Sequence, residues 1–272
     1  MRVAVVGHVE WVHFARVERL PSPGEIIHAS EHWEEAGGGG AVAALQLAAL
    51  AGEATIYTAL GDDECGHRAG WELCERGVRV AAVYRDEPQR RAFTFVDAAA
   101  ERTITLLGPK LTPRGDDALP WEALDDFDGV YYTAREAGAL RQARRARTLV
   151  ATARELTTLL EAGVELDALV HSGQDAGERY EGGVLDPPPR LLVTTAGRSG
   201  GTYRTAEGAL GTFPAAPLPG APVDAYGAGD CFAAGLTFAL AHGEPLEEAL
   251  ALAARCGAGA LSGPGVHVTA PP

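Results

Sequence analysis

The chain has 272 residues, 46% hydrophobic and 22% charged, the balance of a globular protein able to bury a sizeable core. Its formal net charge is −14, and its cations are 22 arginines and one lysine, Lys110, with no basic run of five or more residues; nucleic acid and anionic membrane are therefore not expected as partners. Cys65, Cys74, Cys231 and Cys256 form no CxxC pair, no run of 18 apolar residues occurs, and MRVAVVGHVEW carries no leader pattern, so a reduced, cytoplasmic protein is expected.

In chain order, strands are predicted near Val3–Val6, Thr55–Leu60, Gly129–Thr133, Ala168–His171 and Leu191–Thr195, and helices at about 40–51, 65–76, 136–147, 153–162, 228–242 and 246–261. This alternation predicts an α/β fold of three layers, a central mainly parallel sheet with helices on both faces, in a single domain over 1–272. Two stretches, about 9–33 and 84–108, alternate with period two and read as antiparallel strands outside the main sheet, a small β lid. Asp186-Pro-Pro-Pro-Arg190 reads as a stiff surface connection.

Gly37-Gly-Gly-Gly-Ala-Val-Ala-Ala44 opens a helix and formally fits GxGxxA, with Asp62 or Asp63 about twenty residues on. A dinucleotide fingerprint also needs a buried strand immediately before it, whereas His32-Trp-Glu-Glu-Ala36 precedes this one. Beside the dinucleotide reading stand two others: a turn that lets a helix pack tightly, or glycine amides that approach a bound substrate closely.

Asp224-Ala-Tyr-Gly-Ala-Gly-Asp230 leads directly into an apolar helical run. Gly227, Ala228 and Gly229 place small residues and free N–H groups at a helix N-terminus, a seat for phosphate, and Asp230 falls in the same first turn. A carboxylate beside an anion hole is what phosphoryl transfer to an alcohol requires, because it accepts the hydroxyl proton while the amides hold charge on the transferring group. No GxxxxGK[ST] is present, which excludes a P-loop enzyme.

These motifs together resemble the ribokinase-like, PfkB-type carbohydrate kinases over nearly the whole length. Asp224–Asp230 is similar to the family's DTxGAGD signature with Ala225 in place of Thr, which implies Asp230 as base and Gly227–Gly229 as anion hole. Gly38 and Gly39 resemble the glycine pair that touches the sugar, Gly61-Asp-Asp-Glu-Cys-Gly66 the GxDxxG turn, and Arg91–Val96 with Glu101–Thr105 a lid hairpin. Thr195, Gly197 and Gly200 fit a TxGxxG nucleotide loop, and Cys256 and Gly257 a helix bordering adenine. The resemblance implies ATP, Mg2+ and an alcohol acceptor; exposed edges of the lid strands would be covered by a second copy, so a homodimer through the lid is expected.

The departures concern the acceptor. In the family's G-x-x-N-x-D pattern this chain has Glu10 at the Asn position and Val12 at the Asp position, and Ala43 replaces another sugar-binding Asn. The N-x-x-E element near the metal becomes Ser172-Gly-Gln-Asp175, in which Asp175 either orients metal-bound water or is a solvated helix-start residue. Glu10 either binds a substrate hydroxyl or amine or is an acidic lid residue; Arg90 and Arg91 either clamp an anionic substrate or are solvated charges. Trp11 and Trp33 read as packing residues of the lid or a dimer contact, and His8 and His13 lack partners for a metal site. The expected substrate is a sugar or sugar-like alcohol. A nucleoside kinase of the same fold and a non-catalytic homologue are the alternatives.

Overall fold

The computed structural model describes residues 1–180 and 182–270. The elements run β1 (Val3–Gly7), β2 (Glu10–Arg16), β3 (Glu31–Gly37), α1 (Gly38–Ala51), β4 (Ala54–Gly61), α2 (Glu64–Glu75), β5 (Val78–Arg85), β6 (Arg91–Val96) and β7 (Arg102–Leu107). They continue with β8 (Gly129–Thr133), α3 (Ala137–Ala143), β9 (Thr148–Thr152), α4 (Leu156–Ala162), β10 (Ala168–Ser172), β11 (Leu191–Thr195), β12 (Gly201–Thr205), β13 (Leu210–Phe213), α5 (Ala228–His242) and α6 (Leu246–Ala260).

Nine strands form the main sheet in the order β13-β12-β11-β10-β9-β8-β1-β4-β5, parallel from β5 to β11, with β12 and β13 antiparallel at one edge. Because successive side chains leave a strand on opposite faces, Val3 and Val5 join the core under α1, α2, α5 and α6, while Ala4 and Val6 join the core under α3 and α4. The chain leaves β1 toward β4 on one side and returns at β8 on the other, so the carboxyl ends of β1 and β8 flank a topological switch point, where α/β sheets bind ligands.

The remaining strands make a separate sheet, β3-β2-β6-β7. It is not wholly antiparallel as expected: β2 and β6 run parallel, because the chain passes through α1, β4, α2 and β5 before it returns. The alternation predicted at Ile26–Ser30 yields no strand, since β2 ends at Arg16 opposite Glu31 and nothing remains to pair. Tyr84 and Arg85 belong to β5 of the main sheet rather than to the small one.

On the inner face of the small sheet, Phe14 stacks on Trp33 at 4.9 Å and meets Tyr226 edge-on at 5.0 Å. Trp11 points toward α2, where the Arg68 guanidinium lies 4.4 Å from its ring. Both tryptophans are therefore packing residues here. Among the described residues, no helix is long and apolar enough to cross a membrane.

Candidate active site

The loop before α5 is held from both sides. The fully buried Asp224 accepts from the N–H of Tyr226 at 2.8 Å and of Gly265 at 2.9 Å, tying it to the C-terminal segment. Gly227 has φ +75°, and a Cβ there would lie 2.8 Å from Val42, so both conformation and space demand glycine. The Cys231 N–H closes the first turn of α5 onto Gly227 O at 2.9 Å, which leaves the amides of Ala228, Gly229 and Asp230 without intrahelical partners. A Cβ at Gly229 would meet nothing within 4 Å, so a phosphate has room beside these amides.

Asp230 lies in that first turn, partly open to solvent, with the Tyr131 hydroxyl 3.5 Å from Oδ1. Burial, reinforced by Glu178, pushes its carboxyl from an ordinary 3.8 up to about 6, against the pull of Arg154, Arg102 and Lys110.

The N-terminus of α1 faces it. A Cβ on Gly39 would stand 2.8 Å from Asp230 Oδ1 and 3.3 Å from Thr133 Oγ1, so this glycine lets the two α-helix N-termini meet the end of β8. Gly38, at φ +83°, donates its N–H to the Tyr226 hydroxyl at 2.8 Å. The Gly40 amide donates to His8 O at 3.1 Å, so the glycine run also seats α1 against the end of β1, while Gly39 lies close to Asp230.

Beyond Gly39 lies a buried charged group. His8 Nδ1 stands 3.1 Å from Thr133 O, and burial, with Lys110, Arg90 and Arg135, holds the imidazole neutral by lowering its pKa well below 6.5. Facing a carbonyl fixes the proton on Nδ1, so the lone pair of Nε2 faces Glu10 Oε1, 3.6 Å away. Two acceptors thus look into one space, which suits a donor such as a hydroxyl. Burial raises the Glu10 carboxyl, and Arg90 and Lys110 oppose that shift. Val12 and Ala43 are fully buried, Val12 against Gly37, so they fill core rather than line an open apolar pocket.

The nucleotide-loop candidates gather at the end of β11. Thr195 closes that strand, its hydroxyl 3.4 Å from His171 O, and Gly197 and Gly200 hold positive φ in the turn to β12. Gly257 packs on the first turn of α5, where its Cβ would lie 3.1 Å from Ala228 O. Cys256 is fully buried against Gly235 and does not face this side.

Arg91 and Asp175 both take the solvated position, one of the two readings of each. Arg91 lies on the outer, α2-facing side of β6 beside Cys65, because it is paired in register with Trp11; its neighbour Arg90 is the arginine against Glu10, 3.3 Å from Oε1. Asp175 is exposed, its oxygens accepting from Arg154 Nη2 and the Gly177 N–H, and Glu178, held by Arg154 and the Ser172 N–H, is the carboxylate that bears most on Asp230. Among the described residues, no group of three or more His, Cys, Asp or Glu could hold a metal ion. Sequence reasoning missed Thr133, Tyr226, Arg154, Glu178 and Lys110; only Lys110, as the sole lysine, carried a signal.

A carboxylate among free helix amides at the switch point of a doubly wound sheet defines a phosphate-handling α/β protein. The pfkB family carbohydrate kinase model matches residues 1–159 and 122–271, so the chain belongs to that family and is a kinase that transfers phosphate to a hydroxyl. An ATP-dependent ribose-1-phosphate kinase of Halopiger xanaduensis is 28% identical over 276 residues, covering 95% of this chain and 91% of the relative. In fold, the chain is similar to a microbiome-derived acarbose kinase (TM-score 0.83, 24% identity, 98% of this chain and 95% of that one). It is also similar to the adenosine kinase of Sinorhizobium meliloti (TM-score 0.79, 20% identity, 98% and 95%).

Proposed function

We propose that this protein transfers the γ-phosphoryl group of ATP to a hydroxyl of a sugar or sugar-like small molecule. The observation that carries the reading is Asp230, held near pKa 6 beside the free amides of α5 and within reach of Gly39. As the acceptor oxygen attacks the γ-phosphorus, Asp230 takes its proton; the bond to the β-phosphate oxygen breaks and ADP leaves. A base poised near 6 is ionised at neutral pH yet close enough to it to share the proton. The amides of Gly227, Ala228 and Gly229 line the anion hole and hold the developing charge.

Gly38, Gly39 and Glu10 border the acceptor, and the His8 lone pair adds a second acceptor for its hydroxyl. Thr195, Gly197, Gly200 and Gly257 border the nucleotide, with Cys256 supporting that helix from behind. The room beside Gly229 suits a nucleotide phosphate. Magnesium would be bound chiefly by the nucleotide phosphates, with Asp175 and Glu178 the carboxylates that could hold its water. When bound, it neutralises phosphate charge. The small sheet acts as the lid of a single domain and excludes water from the transfer.

Every residue of β7 is exposed, and with Phe93 on β6 it offers an apolar edge that a second copy would cover, so a homodimer is part of this reading. All four cysteines are free, which agrees with a reducing cytoplasm. The test is ADP release across a panel of sugars, sugar derivatives and nucleosides. Release with a sugar-type acceptor supports the proposal, release with nucleosides alone replaces it by the nucleoside kinase, and no release above background refutes it.

A further inference from the structure

The only lysine of the chain is buried beside the proposed acceptor site. Lys110, with 8% side-chain exposure, donates to Thr133 O at 3.4 Å and to Glu155 Oε1. Glu155 is itself buried to 1% and accepts on its other oxygen from Arg135 Nε at 3.1 Å, so one carboxylate is shared by two cations. On the opposite wall, Arg90, with 13% side-chain exposure, lies beside Glu10. Its buried Nε lies 3.3 Å from Glu10 Oε1 as an ion pair without hydrogen-bond geometry, and among the described residues Arg90 donates no side-chain hydrogen bond.

Lys110 and His8 both contact Thr133 O, Arg90 and His8 both lie against Glu10, and Arg135 shares Glu155 with Lys110, which groups the three cations around His8 beside Thr133 and Gly39. Three cations face two carboxylates, and both carboxylates are already engaged. The group therefore carries one net positive charge beside the largely buried Arg90 and Lys110, which an arriving anion would balance. The donor side has its own arginines, Arg154 and Arg102, the latter donating to Ala225 O at 2.7 Å in the anion-hole loop. The excess at His8 therefore belongs to the acceptor. Arg90 offers a planar fork that matches an oxyacid group.

We propose that the acceptor carries an anionic oxyacid group, a phosphate monoester or a carboxylate, seated by Arg90, Lys110 and Arg135. Resting on the kinase reading above, this narrows the substrate from sugars in general to sugar phosphates or sugar acids.

The experiment compares matched triplets in the ADP-release assay: a neutral sugar, its phosphate monoester and its acid. At least a tenfold higher kcat/KM for one anionic member than for its neutral parent is expected, and the member preferred tells phosphate from carboxylate. A neutral parent used equally well or better overturns the proposal. In Arg90→Gln and Arg135→Gln, the preference for the anionic member is expected to fall at least tenfold; an unchanged ratio in both overturns it. Arg135 is 62% exposed, so its substitution leaves the fold intact even if Arg90→Gln does not. Calorimetric titration of the preferred anionic sugar into nucleotide-free protein separates the two readings. Binding that weakens tenfold in Arg135→Gln, without ADP release by the unmodified protein, refutes the kinase reading and supports the anion seat; equal binding by unmodified protein and variant overturns the seat.

Discussion

Replacing the proposed base by its neutral isostere should weaken the chemistry and strengthen the fold at the same time. The Asp230 carboxyl is raised from 3.8 to about 6, so the folded state disfavours its charged form. At roughly 1.36 kcal/mol per pKa unit that gap is at most about 3 kcal/mol, and the partial solvent access of Asp230 reduces it to about 1–2 kcal/mol. For a raised carboxyl, the penalty is fully present above pH 6 and vanishes as pH falls below 3.8. Asp230→Asn removes the charge at every pH. It should therefore melt about 2–6 °C above the parent at pH 7.5, and that margin should close between pH 6 and 4. Turnover of the best acceptor should fall by about 10²–10⁴-fold, the range for loss of a general base. The unmodified enzyme should gain kcat/KM with unit slope as pH rises through about 6. The assays are thermal melts across pH and coupled ADP release; near-normal turnover in the variant, or a variant less stable than its parent at neutral pH, refutes the assignment.

Other substitutions test the supporting geometry. Gly39→Ala puts a Cβ 2.8 Å from Asp230 Oδ1 and should lower kcat about 10–100-fold with little change in melting temperature; steady-state kinetics and a melt together decide it. Glu155→Gln strips a buried carboxylate from Lys110 and should cost about 3–5 kcal/mol in urea unfolding, and a loss below about 1 kcal/mol would contradict the pairing. Tyr226→Phe leaves the buried Gly38 N–H without its acceptor and should cost about 1–3 kcal/mol by the same measurement. Gly227→Ala forces a side chain to φ +75° against Val42 and should destabilise by a further about 1–3 kcal/mol while lowering kcat.

The donor half of the site was legible because its determinants are contiguous. Gly227 and Gly243 bracket α5, both in the left-handed conformation that ends helical pairing, so 228–242 could be read to the residue and Asp230 placed in its first turn. Periodicity likewise gave α1, α2 and α6 and the five apolar parallel strands. It did not give β5, β9, β12 and β13, strands whose extended form depends on the neighbours they pair with. The helix expected over 136–147 stops at Ala143, where Arg144 turns its guanidinium to the carbonyls of Ala146 and Arg147 and the chain enters β9.

The acceptor half had no such local pattern. His8, Glu10, Arg90, Lys110, Thr133 and Glu155 come from five places in the chain and meet only because β1 and β8 are adjacent and the small sheet folds over their ends. Which arginine of the pair 90–91 faces inward is decided by the register of β6 on β2, since one residue of shift exchanges the faces. Sequence alone thus located the proposed base and anion hole, which lie together in one turn of helix. Tertiary structure decided the charge of the acceptor pocket, because that charge is the sum of groups no local rule brings together.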